Sequence, residues 1–242
     1  MGVILFNEQS SEDYGVVVEH PPKYEFPEKD YTSVHIPGRN GDVMFDTGAY
    51  KNVTRTYELA VGDLEKPLGL LASRMSEWLH SGDGYCRLED SYEPDIYRMA
   101  CFHASGSLEN IFDHAGRGTI SFDCKPQRFY KSGEKVVAID SSVYIMKNGT
   151  FFVARPMIII HGNGTFAIND ISVNISNVGD YIIIDSDMQD AYEIDSVTGE
   201  YINANNKVTL ENGFPVLLPG DNIIQSSAGI SSVEVIPRWW TI

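Results

Sequence analysis

The sequence is poor in the residues that build chemical sites. It has three cysteines in 242 residues, and Cys86, Cys101 and Cys124 give neither a CxxC pair nor the ligand spacing of a zinc site. Its six histidines are scattered without an HExxH motif, and no G-x-S-x-G nucleophile elbow occurs. We therefore predict no catalytic residue, no cofactor and no metal site. A carboxylate pair for glycoside hydrolysis stays open, because such a pair is set in space rather than in sequence.

Long apolar runs and basic residues are also scarce. No stretch reaches the roughly 18 uninterrupted apolar residues of a membrane span, and the acidic start of the chain makes a poor signal peptide. Thirty-four acids against 18 bases give a net charge of −16, with −9 from residues 1–130 and −7 from residues 131–242. This balance offers no basic surface for gripping nucleic acid. It suits solubility through self-repulsion.

Much of the chain alternates polar and apolar residues, as a half-buried strand does. Residues 33–36, 119–124 and 171–176 show this pattern, and we expect one face of each strand to meet a core. Cys124 falls on the apolar side of its strand, which predicts a buried, reduced thiol. With so few cysteines we expect no disulfide framework and a reducing site of assembly.

One segment has a helical period instead. Its apolar residues recur mainly at steps of three and four and fall on one face: Leu64, Leu68, Leu71, Met75, Trp78 and Leu79. Pro67 suits a first turn, and Ser81 with Gly82 suits an end. The sequence predicts one helix at about 65–80 that packs on a sheet.

These patterns predict a mainly β fold class in two domains. The first domain, residues 1–130, is an α+β domain that is β-rich and carries the helix. The second, residues 131–242, is an all-β sandwich whose short strands are separated by Asn-Gly, Pro-Gly and Gly-Asp turns. We expect hairpins at Asn148-Gly149 and at Asn163-Gly164.

Two features of the second domain imitate ligand sites. Residues 157–167 carry an apolar strand followed by G-x-G-x-x-A, as in a dinucleotide-binding fingerprint, but strand-like alternation follows and leaves no helix N-terminus for a phosphate. Asp185, Asp187, Asp190 and Asp195 form a dense acidic cluster without the glycine and distal glutamate of a calcium loop. We interpret this cluster as a solvated loop, with an opportunistic cation site as the alternative.

Trp239 and Trp240 stand near the C-terminus. On the face of a β-sandwich such rings could stack against sugars. Aromatic side chains bury large areas, however, so packing in a core or a domain interface is the default interpretation.

The most informative motif is a compact turn between two strand-like runs, which reads Ile36-Pro37-Gly38-Arg39-Asn40-Gly41-Asp42. Pro37 presets one backbone angle, and Gly38 and Gly41 tolerate the left-handed region, so the segment predicts a tight reversal. The turn, with Arg39 and Asn40 at its centre, resembles the signature of the distal tail proteins of siphophages that infect Gram-positive hosts.

Further phrases resemble the same family, in the same order, along nearly the whole chain. In the first half these are Phe6-Asn7, Tyr14-Gly15-Val16, Trp78-Leu79, Leu88-Glu89-Asp90 and residues 94–98 and 118–126. In the second half they are residues 155–162, Ile184-Asp185, residues 214–222 and Pro237-Arg238-Trp239. Their order and spacing together carry the resemblance.

The resemblance implies a structural role without catalytic residues. Six copies of the N-terminal domain would close a ring, and a galectin-like or carbohydrate-module-like C-terminal sandwich would project outward. This homohexamer would join the tail tube protein to the tail-tip or tail-associated hub protein of the baseplate, and to receptor-binding proteins. It would belong to the virion tail after assembly in the bacterial host cytoplasm. DNA would pass through the ring without specific binding, and some surplus acids of the first domain would face the opening.

Two other functions stay open. One is a carbohydrate-binding module that recognises a host cell-wall polysaccharide through the second domain, although a lectin-like fold does not by itself establish sugar binding. The other is a tail-associated hydrolase, for which the sequence offers no nucleophile or metal signature.

Overall fold

The chain divides into two compact units. The computed structural model describes residues 1–103 and 106–242. One unit comprises Met1–Arg128 with Ile242, and the other comprises Phe129–Thr241. Each unit has its own hydrophobic core. The elements are mainly antiparallel strands, so the mainly β fold class is confirmed.

The first unit combines an antiparallel sheet with a helix. Its strands are β1 (Ile4–Phe6), β2 (Gln9–Ser10), β3 (Val16–Val18), β4 (Lys29–Val34), β5 (Val43–Tyr50), β6 (Val53–Gly62), β7 (Cys86–Asp90), β8 (Ile96–Cys101), β9 (Ser107–Phe112) and β10 (Ala115–Tyr130). The helix is α1 (Leu68–Leu79), and a short 3-10 helix covers Ser11–Tyr14. The main sheet has the order β2-β1-β7-β8-β10-β6-β3, and β9 pairs with β10.

Helix α1 begins later than the periodicity predicts. Its first residue is Leu68, and Pro67 occupies the N-cap position. A proline disfavours helical backbone at the residue before it, so the helix cannot extend back to residue 65. Leu64, which the predicted apolar stripe included, is 96% exposed. Among the described residues no helix has both the length and the apolar content needed to cross a membrane.

The core of the first unit lies where α1 packs against the sheet. The indole Nε1 of Trp78 donates to the carbonyl of Phe6 at 3.2 Å, and its ring stacks on Tyr14 with 5.2 Å between centroids. Phe122 and Cys124 of β10 are buried, which confirms the alternation over residues 119–124. Burial raises the pKa of the Cys124 thiol to about 12.

Strands β4 and β5 form a separate two-stranded sheet. They pair from Lys29 opposite Tyr50 to Val34 opposite Val43, and among the described residues the hairpin pairs with no other strand. The prediction that residues 33–36 turn one face to a core is wrong, since Val34 and Ile36 are exposed. Alternation of polar and apolar residues predicts a strand with one apolar face, but it does not predict what covers that face.

The second unit consists of short strands in two sheets. The strands of these sheets are β11 (Val137–Ile139), β12 (Val143–Asn148), β13 (Met157–Gly162), β14 (Gly164–Ile168), β15 (Ile171–Ile175), β16 (Tyr181–Asp185), β17 (Asp190–Ile194), β18 (Tyr201–Asn203), β19 (Val208–Glu211), β20 (Gly220–Ser226) and β21 (Ile230–Ile236). The last strand, β22 (Trp240–Thr241), lies outside these two sheets and pairs with β10. Short 3-10 helices cover Lys131–Glu134 and Asn205–Lys207. One sheet has the order β11-β21-β13-β16-β17-β18, and the other has the order β12-β20-β14-β15-β19.

These two sheets share one core, which makes the second unit a β-sandwich. Ile158 and Ile160 of β13 lie in this core with Phe166 of β14, which belongs to the other sheet. Val173 and Ile175 of β15 are buried as well, so the alternation predicted for residues 171–176 is confirmed.

Neither Asn-Gly pair forms a hairpin, contrary to the prediction. The chain changes sheets between β12 and β13 and again between β13 and β14. The Asn163 side chain accepts from the N–H of Val178 at 2.8 Å and donates to its carbonyl at 3.1 Å. The buried Asn148 amide donates to the carbonyls of Phe152 and Leu217. Both amides are therefore used in longer-range bonds. Strand β14 begins at Gly164, so no helix N-terminus follows the glycines of the dinucleotide-like motif.

Candidate assembly surface

The turn singled out in the sequence forms the tip of the β4–β5 hairpin. The backbone N–H of Arg39 donates to the carbonyl of Ile36 at 3.1 Å and closes the turn. Gly38 and Gly41 have φ angles of 82° and 77°, a region that glycine enters without strain. The residues predicted to matter here all lie exposed in this turn: Pro37, Gly38, Arg39, Asn40 and Gly41.

Large apolar side chains are exposed along the same hairpin. Met44 and Phe45 of β5 each expose 57% of their surface, and Tyr31 of β4 is also exposed. A lone two-stranded hairpin is marginally stable in water, and its edge strands present unpaired backbone groups. The β4–β5 hairpin therefore has the properties of a surface that another chain covers.

A second apolar surface lies elsewhere on the first unit. It is an open depression of about 710 Å³ whose lining includes Val17, Ile111 and Phe112, with Glu12 and Glu19 among the polar members. Phe112, at the end of β9, is 72% exposed. A lining that combines apolar and charged side chains is typical of a protein–protein contact surface.

Buried charges link the strands near the base of the hairpin. Arg55 of β6 donates to Asp90 of β7 at 2.9 Å and to Glu93 at 3.0 Å. Glu93 also accepts from Arg98 of β8 at 2.6 Å and from Arg128 of β10. All of these except Arg128 are buried, and each charge is compensated by an opposite one, as burial of charge requires.

This network also holds the segment that leads into the hairpin. A terminal nitrogen of Arg55 donates to the carbonyl of Lys23 at 3.1 Å, and the guanidinium lies 5.7 Å from the ring centroid of Tyr24. Lys23 and Tyr24 precede β4 by a few residues, so the network fixes part of the segment that leads into the hairpin. The cavity beside it measures about 40 Å³, far less than the 300 Å³ or more of a typical small-molecule site.

Burial and neighbouring groups shift the pKa values of two members of this network, Arg55 and Tyr57. Burial acts to lower the pKa of Arg55, but the interactions with Tyr57 and Asp90 outweigh it and raise that pKa. Burial, together with the nearby Asp90, raises the pKa of Tyr57 well above its ordinary value. The Tyr57 hydroxyl therefore stays protonated and donates to Asp90 at 2.8 Å. Arg55, Tyr57 and Asp90 therefore link neighbouring segments of the first unit.

The whole chain is similar in fold to solved phage proteins. It matches the Dit protein of phage SPP1, a paradigm of the hub adsorption apparatus in phages that infect Gram-positive bacteria, with a TM-score of 0.74 and 13% identity over 100% of both chains. The chain has the Dit fold.

Structures of the phage P2 baseplate in its activated conformation are similar as well. The TM-score is 0.54 for the calcium form and 0.53 for the strontium form, each at 12% identity over 97% of this chain and 97% or 96% of the other. No protein-family model matches the sequence, and a comparison with curated proteins gives no match. The resemblance stated from the sequence is thus confirmed at the level of fold.

In this Dit fold the two C-terminal tryptophans are packed within the second unit. Trp239 is partly buried against the sandwich core. The ring of Trp240 stacks on Phe152 with 4.4 Å between centroids, and its Nε1 donates to the carbonyl of Val153 at 3.0 Å. Sugar stacking by Trp239 and Trp240 stays a prediction, and the contact with Phe152 occupies one face of the Trp240 ring.

The acidic cluster is not uniformly solvated, which corrects the sequence interpretation. Asp187 is exposed, but Asp185 is buried at the end of β16 and forms a two-pronged ion pair with Arg238, 2.7 Å for each bond. These residues belong to two phrases that the resemblance had noted separately. Asp185 thus ties the C-terminal segment to the sandwich.

Proposed function

We propose that this chain is a structural component of a phage or prophage tail that forms a hexameric ring linking the tail tube to the baseplate or tail tip. The observation that carries the proposal is the full-length match to the SPP1 Dit fold, which covers both chains completely. The match to chains of the phage P2 baseplate supports the same assignment. The chain would act by docking to copies of itself and to other tail proteins, without catalysis or a cofactor.

The two apolar surfaces of the first unit suggest how the copies would join. A rotational ring needs a head-to-tail contact between two different surfaces of the same chain. The hairpin would supply one surface, on the face that carries Phe45, and the depression beside Phe112 would supply the other. Arg39 at the hairpin tip has the opposite charge to Glu12 in the depression, whereas Glu19 there already pairs with Arg117. Docking would also cover the free strand edges of the hairpin.

The charge of the chain supports a passage for DNA. A net charge of −16 per copy is shared between both parts of the chain. Acidic side chains of the first unit that face a central opening would repel phosphates and keep DNA from binding to the wall. The partners we propose are the tail tube protein, the tail-tip or tail-associated hub protein and a receptor-binding protein, in the virion tail after assembly in the host cytoplasm.

Light scattering and electron microscopy of the purified full chain test the proposal. We expect six times the mass of one chain and ring-shaped particles with six-fold symmetry. Phe45→Asp should yield monomers, because a charge on the hairpin would be buried in the contact. Phe151→Asp is the matched control, since Phe151 is exposed on the second unit and should leave the ring intact. A monomeric wild type, or a Phe45→Asp ring, would contradict the proposal.

A further inference from the structure

Three side chains with metal-binding atoms converge on the first unit. Cys101 is the last residue of β8, Asp123 lies in β10, and these two strands are neighbours in the sheet. His103 follows Cys101 by two residues. The thiol of Cys101, an imidazole nitrogen of His103 and a carboxylate oxygen of Asp123 all lie within 4.8 Å of one another.

The separations from the Cys101 thiol are close to those of a first coordination shell. Cys101 Sγ lies 3.3 Å from His103 Nδ1 and 4.0 Å from Asp123 Oδ2. Tetrahedral zinc, with bonds of about 2.0–2.3 Å to nitrogen, oxygen and sulfur, places its ligand atoms about 3.3–3.6 Å apart. A contraction of about half an ångström would bring the thiol–carboxylate separation into this range.

Neighbouring side chains support this arrangement. Asn52 donates its amide to Asp123 Oδ2 at 2.8 Å and also donates to the hydroxyl of Tyr85. Such an outer hydrogen bond orients a ligating carboxylate in many metal sites. Cys101 and Asp123 are half-buried whereas His103 is exposed. The cluster is therefore partly buried and reaches solvent at His103.

We propose that Cys101, His103 and Asp123 form a three-ligand site for a divalent transition metal, with Zn²⁺ the preferred ion. The mixed sulfur, nitrogen and oxygen donors select zinc or cobalt over calcium and magnesium, which prefer oxygen alone. A bound ion would join the end of β8 to β10 and stabilise the first unit, because the unfolded chain does not hold the three ligands together. Binding would not depend on ring formation, so its test is independent of the proposed tail function.

The experiment uses the reduced, metal-stripped full chain titrated with Co²⁺ and then with Zn²⁺. We expect one equivalent of Co²⁺ to bind with a near-ultraviolet thiolate-to-cobalt absorption band, and Zn²⁺ to displace it. Calorimetry with Zn²⁺ should give the same stoichiometry, and Zn²⁺ should raise the Tm. Cys101→Ser should abolish the band, and His103→Gln should weaken Zn²⁺ binding by about tenfold or more.

Matched controls separate the site from general thiol and imidazole binding. Cys86→Ser removes the other half-exposed thiol of the chain. His20→Gln removes an exposed imidazole elsewhere on the unit. Both controls should retain the band and the wild-type affinity, and circular dichroism should show every variant folded. Loss of binding in the controls but not in Cys101→Ser or His103→Gln would overturn the proposal. So would the absence of a stoichiometric cobalt band in the wild type.

Discussion

At the scale of single residues, the second unit depends on the ion pair between Asp185 and Arg238. Asp185 also accepts from the backbone N–H groups of Asp187 and Met188, each at 3.0 Å. Burial acts to raise the pKa of Asp185, but the hydrogen bonds from Arg238 and from this backbone outweigh it, and the pKa lies below its ordinary value of 3.8. The folded state therefore favours the charged carboxylate.

This shift predicts a pH-dependent stability. Asp185→Asn should lower the free energy of unfolding by about 2–4 kcal/mol at pH 7, since Arg238 loses its partner. Because the folded-state pKa lies below the unfolded value of 3.8, the contribution is complete well above that value and is lost as the pH falls through the folded pKa. Urea unfolding at neutral and at acidic pH measures this difference, which should shrink in acid. Asp187→Asn, at an exposed position, is the control. A cost that does not change with pH would contradict the prediction.

The buried network around Arg55 predicts a larger effect. Arg55→Met should destabilise the first unit by about 3–5 kcal/mol, because Asp90 loses its ion-pair partner and Glu93 loses one of three. Arg117→Met should lower the free energy of unfolding by less than about 1 kcal/mol, since the Arg117 side chain is 64% exposed and its pair with Glu19 is screened by water. Differential scanning calorimetry compares the two variants, and equal costs would show that the network adds no stability.

At the scale of elements, the periodicity of apolar residues predicted the helix that packs on a sheet but not the hairpin whose apolar side chains stay exposed. The helix was predictable because Leu71, Met75 and Trp78 fall on one face and all meet the core. The hairpin was misjudged because alternation over residues 33–36 looks the same whether the apolar face meets a core or another chain. Asn163 was misjudged because its side chain bonds to a segment 15 residues away, which no local turn rule includes.

Helix α1 gives a direct test of which face carries the stability. Trp78→Ala should lower the free energy of unfolding by about 3–5 kcal/mol, because it leaves a cavity between the helix and the sheet and removes the hydrogen bond to Phe6. Leu70→Ala removes a half-exposed side chain from the same helix and should cost less than about 1 kcal/mol. Thermal unfolding followed by circular dichroism compares the two. Equal costs would mean that α1 does not depend on its apolar face.

At the scale of the whole molecule, only the turn of the candidate assembly surface could be predicted from the sequence. Its residues are contiguous, and their chemistry dictates a reversal wherever they occur. The depression is different, because Val17 and Phe112 come from strands far apart in the chain. The proposed metal-ligand cluster likewise joins Cys101 of β8 to Asp123 of β10. Such groupings have no fixed spacing, and only the strand order brings them together.

A mixing experiment distinguishes the proposed head-to-tail ring from other assemblies. Phe45→Asp damages the hairpin but leaves the depression intact, whereas Phe112→Asp damages the depression but leaves the hairpin intact. Each variant alone should be monomeric, because every contact in a head-to-tail ring needs both surfaces.

When the two variants are mixed in equal amounts, each pair should form one intact contact and assemble no further. Light scattering should therefore report the mass of two chains, with neither monomers alone nor rings, since the remaining free surfaces are the damaged ones. A different outcome is expected if the hairpins of two copies instead pack on each other in a self-complementary contact. Phe112→Asp would then assemble like the wild type without any partner, and that result would refute the depression as the docking surface.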